Sequence, residues 1–520
     1  MGGALIQLVA HGIDDLYLTN DPQITYFKIM YKRHTNFSSE PLLCKFMNEP
    51  NFGKSSTCII SRTGDLVGKM FIVVTLPSVD IKNNTDLKFA WIKRIGFGLI
   101  KSIEIEINER VIDRHYGEWM NIWAELVGHI TGEHKRGYNK MIGNVDELTK
   151  FTKTKEEYTL YIPIYFWFCK NSGSMLPLVS LQYCDIKINV EFEEIENCVL
   201  LSPTHYIKCR DDIANFKQYE YIEQKIGETT NAGLFSHYDI ATKRLYYTKI
   251  TQGKILSIPV ASSFDSSNAN KQTIDSILTS ANGIQYIIIG KTSGYTTFPE
   301  FNNFSTVCSS TQFLKNMGFV ECHLLVEYVY LDEEERLKFA QSKHDYLIEQ
   351  LYTTSNIKIT DSTYSAKIVV DNPCKLMTWV TQYEYIYKSK DYYNYTDSYI
   401  NTTYNVVDPI GKNIIENETI LFNGVERLTQ RESFYFDSIQ KHLYTNISTI
   451  PGINIYSFGI HPLIWNPSGT CNTSQVDNIE IDMSLLSDVN RNNPVYFRSY
   501  CLTYGVLRIV DGLLGLVFIK

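Results

Sequence analysis

The sequence predicts an all-β protein built from two consecutive eight-stranded antiparallel sandwiches with a few short helices. Three observations lead there. Period-two alternation of apolar and polar residues recurs along the chain, amphipathic helices are few, and strand and turn signals come in the same order twice, roughly 300 residues apart.

The alternation is plainest at 102–108, SIEIEIN, where Ile103, Ile105 and Ile107 face one way and Glu104, Glu106 and Asn108 the other. DIKINVEFE (185–193) puts Ile186, Ile188, Val190 and Phe192 on one side, and NIEIDMS (478–484) repeats the pattern. Each reads as a strand with core on one face and water on the other. ECHLLVEYVYLD (321–332) is apolar on nearly both faces and is expected at the centre of a sheet. Gly, Pro and Asn turns between such runs indicate antiparallel sandwiches.

Two helices stand out. HYGEWMNIWAELVGHI (115–130) places Trp119, Ile122, Trp123, Leu126 and Ile130 on one stripe. DEEERLKFAQ (332–341) opens with an Asp suited to an N-cap and a Glu three residues on, and serves as a connector.

The stretch NDPQITYFKIMYKRHTNF (20–37) mixes Lys28, Lys32, Arg33 and His34 with Tyr26, Phe27, Tyr31 and Phe37. That mixture suits either a nucleic-acid grip or a strand. At period two, Phe27, Ile29 and Tyr31 form a core stripe, and Lys28, Lys32 and His34 a wet or interface-facing one. A net charge of −8 opposes a general polyanion binder, so a strand with no direct nucleic-acid contact is expected.

The duplication shows in two pairs of segments. INERVIDRHYGEWM (107–120) matches FNGVERLTQRESFYF (422–436), and FWFCKNSGSMLPLVSLQYCDIKINV (166–190) matches SFGIHPLIWNPSGTCNTSQVDNIEIDM (457–483). Between 197 and 320 the alternation weakens and polar turns take over, as in a large insertion. The expected domains are an N-terminal segment 1–20, a first sandwich 21–332 containing the insertion 197–320, a connector 333–345 and a second sandwich 346–520. The Tyr- and Asn-rich stretch 383–419 is expected to form long loops.

Several function classes find no support. At 520 residues the chain exceeds one ordinary domain. Its 11 cysteines lack any CxxC pair and read as reduced, mostly buried thiols of a cytosolic folding compartment. MGGALIQLVAHG has no basic signal-peptide region, and the longest apolar runs, 161–168 and 512–519, are too short to span a bilayer. IIIGKTS (287–293) ends like a phosphate-binding loop, but Gln285 stands where that motif needs Gly. Glu125, His129 and Glu133 fall at four-residue steps and are expected on a solvated helix flank rather than around a metal. No catalytic residue, cofactor or metal site is assigned. Of eight N-x-S/T sites, Asn303, Asn394, Asn401 and Asn417 are retained as glycosylation candidates. Two other readings are a carbohydrate-binding module, with the tyrosines of 383–404 exposed for sugar stacking, and an enzyme on a β-sandwich scaffold.

GALIQLVAHGIDDLYLTNDPQITYFKIMYKRHTNFSSE (3–40) resembles the opening of the major capsid proteins of nucleocytoplasmic large DNA viruses. The resemblance continues at SRTGDLV (61–67), IDRHYGEW (112–119), LPLVSLQYCDIKI (176–188), YVYLDEEERLKFAQSKHDYLIEQL (328–351), NPSGTCNTSQVDNIEI (466–481) and YGVLRIVDGLLGL (504–516), in the family's order. It implies a double jelly roll and a homotrimer forming a pseudo-hexagonal capsomer. The virion shell is the implied location, after folding in the host cytoplasm or a viral factory. Neighbouring capsomers and minor capsid and penton proteins are the implied partners, with an internal virion membrane close by but not spanned. It also implies an outward tower at 197–320 and an assembly segment at the base that includes Leu5, Gln7, Leu8, Val9, Asp21, Pro22, Gln23, Arg33 and Asn36.

Overall fold

The structure, a computed structural model, describes residues 2–10, 19–29, 31–81, 87–130, 132, 135–209, 216–217, 220–226, 229–249, 287–290, 293–306, 311–397, 411–445, 451–491 and 493–517. Its first half pairs two antiparallel sheets. One orders Phe37–Cys44, Glu321–Leu331, Leu66–Leu76 and Leu176–Pro177, with Tyr158–Pro163 also on Leu66–Leu76. The other orders Ser55–Ile59, Ile186–Phe192, Ile100–Ile107 and Arg110–His115. The two short strands on Leu66–Leu76 occupy successive stretches of one edge and act as a single interrupted strand. Numbered by chain position, the eight places run 1-8-3-6 and 2-7-4-5, the order of a jelly roll.

The second half repeats this order. His344–Ile359, Val495–Val510, Pro373–Tyr383 and Ile453–Ser457 form the long sheet, with Cys471–Asn472 on the same edge as Ile453–Ser457. Thr363–Ile368, Ile479–Leu485, Ile415–Phe422 and Val425–Glu432 form the other. A C-terminal strand, Leu513–Val517, adds to Val495–Val510. Even the hairpin turns correspond. Asn108 and Glu109 have φ of 51° and 62°, and Asn423 and Gly424 have 51° and 76°. Positive φ at both central residues matches the right-handed twist of the flanking strands.

The alternating stretches fold as their pattern requires. Ile103, Ile105 and Ile107 are buried beneath half-exposed Glu104 and Glu106, and Ile186–Phe192 and Ile479–Leu485 alternate in the same way. Glu321–Leu331 lies between two partner strands, inside its sheet. Asp332 caps the helix Glu333–Gln341 by accepting the Glu335 N–H at 2.9 Å. Part of the 197–320 segment forms a seven-stranded sheet with its own small core of Ile207, Phe216, Ile222, Phe235, Leu245, Tyr247 and Ile288. Val199–Ser202 instead pairs with Lys88–Trp91. Within the phosphate-loop look-alike, Gly290 and Ser293 close a turn on Tyr295 and Glu220.

The strand expected over 25–37 is absent. The first strand begins at Phe37, and the described residues from 19 to 36 carry no strand. Tyr26, Phe27, Ile29 and Tyr31 are all exposed, Phe27 at 98%. Alternation records that two faces differ; it does not supply a neighbouring strand, and a lone strand has no partner for its backbone groups.

Candidate assembly surfaces

Two regions concentrate the chain's structural chemistry: a buried polar junction between the halves and an exposed apolar arm ahead of the first strand.

The junction forms because the second half's long sheet is apolar on both faces. Met377, Trp379, Phe497 and Cys501 point into the second sandwich, whereas Leu376, Val380, Ile455, Tyr500 and Leu502 join the first half's core. The helix Gly117–Leu126 sits against that outer face, and the Trp119 ring lies 5.6 Å from Tyr500. At its start Glu118 is held from the second half. Arg498 Nε lies 2.7 Å from one carboxylate oxygen, Tyr500 donates to it at 2.5 Å, and Tyr395 donates to the other at 3.1 Å. Nearby, Glu349 pairs with Lys170 at 2.7 Å and with Lys375. Burial alone would raise the Glu349 carboxyl, but the two ammonium groups hold it below the usual carboxylate range. Bonds between side chains and main chain complete the seam: Gln350 Nε2 donates to the Ile112 carbonyl at 2.7 Å, and the Leu351 N–H to Asp113 Oδ1 at 3.0 Å.

Glu125 is not on a solvated flank. It is fully buried, 2.7 Å from Arg94 Nη2, because the helix is covered on both sides. His129 is half-buried and stacked on Tyr138 at 5.1 Å, and burial lowers its pKa; Glu133 lies outside the described residues. Among the described residues no group of three or more His, Cys, Asp and Glu is placed to hold a metal, and no helix is long and apolar enough to cross a membrane.

Two family descriptions match in chain order: major capsid protein N-terminus over 25–238, and large eukaryotic DNA virus major capsid protein over 335–515. A probable capsid protein 4 of Acanthamoeba polyphaga mimivirus is 38% identical, covering 100% of this chain and 99% of that one. The chain belongs to the major capsid protein family of large DNA viruses. A major capsid protein of Pyramimonas orientalis virus is 30% identical over the full length of both chains. Two solved structures share the fold. A PBCV-1 virus capsid model superposes with a TM-score of 0.63 at 19% identity, covering 95% of this chain and 100% of the other. The Faustovirus major capsid protein gives 0.63 at 12%, covering 98% and 96%. This is a structural, non-enzymatic family, and the chain is a subunit of an icosahedral virion shell.

The site residues expected of this capsid subunit fall in two described stretches, 2–10 and 19–36. Leu5, Gln7, Leu8 and Val9 are on an exposed helix, Gly2–Val9, while Asp21, Pro22, Gln23, Arg33 and Asn36 are exposed in the irregular chain before Phe37. Asp21 has φ of 51°. The glycosylation candidates divide. Asn417 is half-buried in a strand, Asn303 lies in the insertion's sheet, and Asn401 falls outside the described residues. Asn394 is buried, its Nδ2 donating to Asp391 Oδ2 at 3.3 Å and its Oδ1 accepting from the Thr396 N–H and hydroxyl at 3.1 and 2.8 Å.

Of the tyrosines that the carbohydrate-binding reading would expose, Tyr383, Tyr393 and Tyr395 are buried, the last two in the first half's core, Tyr387 is exposed, and Tyr399 and Tyr404 lie outside the described residues. Glu118, Arg498, Glu349 and Lys375 escaped the sequence reading. For Arg498, Glu349 and Lys375 the one signal is a charge inside an apolar strand, as in PCKLMTWV and VYFRSYCL, whereas Glu118 stands in the first turn of a helix.

Proposed function

We propose that three copies of this chain form a pseudo-hexagonal capsomer that tiles the shell. The duplication carries the reading: each chain brings two sandwiches of one sheet order, so three chains present six near-equivalent units. The insertion, which enters between the seventh and eighth strand places, forms an outward tower. The arm, with Leu5, Leu8 and Val9 uncovered, lies at the base and packs on neighbouring capsomers or on minor capsid and penton proteins, near an internal membrane. Asn303, Asn401 and Asn417 are kept as the glycosylation candidates, Asn394 being buried. Electron microscopy of the purified protein tests the capsomer. Threefold particles with a six-sided outline are expected, and particles lacking threefold symmetry would contradict it.

A further inference from the structure

Two thiols meet at one side of the first sandwich. Phe37–Cys44 is the edge strand of the first long sheet, and Ser55–Ile59 is the edge strand of the sheet opposite. Cys44 ends the one and Cys58 lies in the other, and their side chains are hydrogen-bonded to each other across the gap between the sheets. Cys58 Sγ is also 3.5 Å from the carbonyl of Lys45, the residue after Cys44. Both are free thiols, and both are buried.

Cys44 nevertheless stands close to water. Its Sγ is 3.5 Å from the Tyr328 hydroxyl, which is 3.0 Å from the Ser61 hydroxyl, itself 3.0 Å from that of Thr63. Ser61 and Thr63 are exposed, so a chain of hydroxyls runs from the surface to the sulfur. The contact with Cys58, together with Tyr328 and Ser61, brings the Cys44 thiol down to about 6, while the same contact and burial push Cys58 up. At neutral pH one sulfur is a thiolate and its neighbour keeps its proton. A reactive cysteine beside a resolving one has this division. In the second half Cys374 and Cys501 also touch, but both lie inside the core and burial pushes the Cys374 thiol well up, as in an inert pair.

We infer that Cys44 and Cys58 are a site of oxidative modification, at which a peroxide forms a disulfide that staples the two sheet edges together. The Cys44 thiolate attacks one peroxide oxygen and breaks the O–O bond; the other oxygen leaves as water, and Cys44 becomes a sulfenic acid. Cys58 Sγ then attacks Cys44 Sγ, and the displaced hydroxide takes the Cys58 proton and leaves as a second water. Two thiols lose two electrons and one peroxide gains them. A virion shell passes from the reducing interior of a cell to an oxidising exterior, so the staple closes after assembly. It fastens the strand that directly follows the exposed stretch 19–36, a strand paired on one side only and exposed along most of its length.

The test treats the reduced full-length chain with hydrogen peroxide under native conditions, then unfolds it and alkylates the remaining thiols. Trypsin places the two cysteines on separate peptides, 34–45 and 55–62. A cross-link between those peptides, reversed by dithiothreitol, is the expected first product, with Cys374 and Cys501 still alkylated. Closing this short loop is expected to raise the Tm by about 5 °C. In Cys58→Ser, peroxide is expected to leave a sulfenic acid on Cys44 that dimedone traps, with no rise in Tm. The wild-type result stands whether or not that variant folds. Cys44 recovered as a free thiol, or as a sulfinic acid beside an unreacted Cys58, would overturn the inference. So would another pair cross-linking first, or a cross-linked chain whose Tm is unchanged.

Discussion

Removing the Glu118 carboxylate leaves Arg498 buried without its charge partner and strands the Tyr395 and Tyr500 hydroxyls. Breaking one side of a buried pair is costly, so Glu118→Ala is expected to destabilise the chain by about 3 kcal/mol. Urea denaturation would check this, and a loss below about 1 kcal/mol, the worth of a surface pair, would contradict the picture of a sealed junction. Glu418 tests the opposite situation. It is fully buried, its carboxyl receives the Trp379 indole N–H at 2.6 Å, and burial pushes its pKa well above the usual range. The folded chain therefore keeps a proton that the unfolded chain loses near ~4.3, so this group's contribution to stability falls as pH rises above that value. Glu418→Gln removes the titration. Its Tm is expected to exceed the wild type's at pH 8 by more than at pH 5, and equal differences at both would argue against a neutral Glu418. Neither residue was legible as special in the sequence, because what makes it so is a partner far along the chain.

Turns and strands are where local sequence had most authority. The repeated Ile alternation fixed register because a one-residue slip would turn every buried Ile outward. The paired hairpins also suggest a substitution. Glu109 holds φ of 62° where its counterpart is Gly424, and a residue with a Cβ is strained there. Glu109→Gly is expected to stabilise by up to about 1 kcal/mol, read as a rise in the urea midpoint; an unchanged or lower midpoint would mean Glu109 makes a compensating contact. The arm shows the limit of pattern. Its alternation is genuine, yet Phe27 and Tyr31 are exposed and join no sheet among the described residues. Deleting residues 2–18 is accordingly expected to leave folded trimers that fail to associate into larger arrays, as seen by electron microscopy of concentrated protein. Unfolded chains after that deletion would show instead that the arm is part of the fold.

At the scale of the whole molecule, two sandwiches of identical strand order are locked by a seam that is apolar around Trp119 and Tyr500 and ionic at Glu118 and Glu349. The sequence announced the duplication through turns and strand order, whereas the seam appeared only once both halves were folded and facing each other. A rigid pair of near-equivalent units is what a six-cornered assembly of three chains requires. The most direct test is the native mass of the purified full-length chain, measured across a dilution series. An assembly of three 60.0 kDa chains that survives dilution is predicted. A monomer at every concentration would contradict the account.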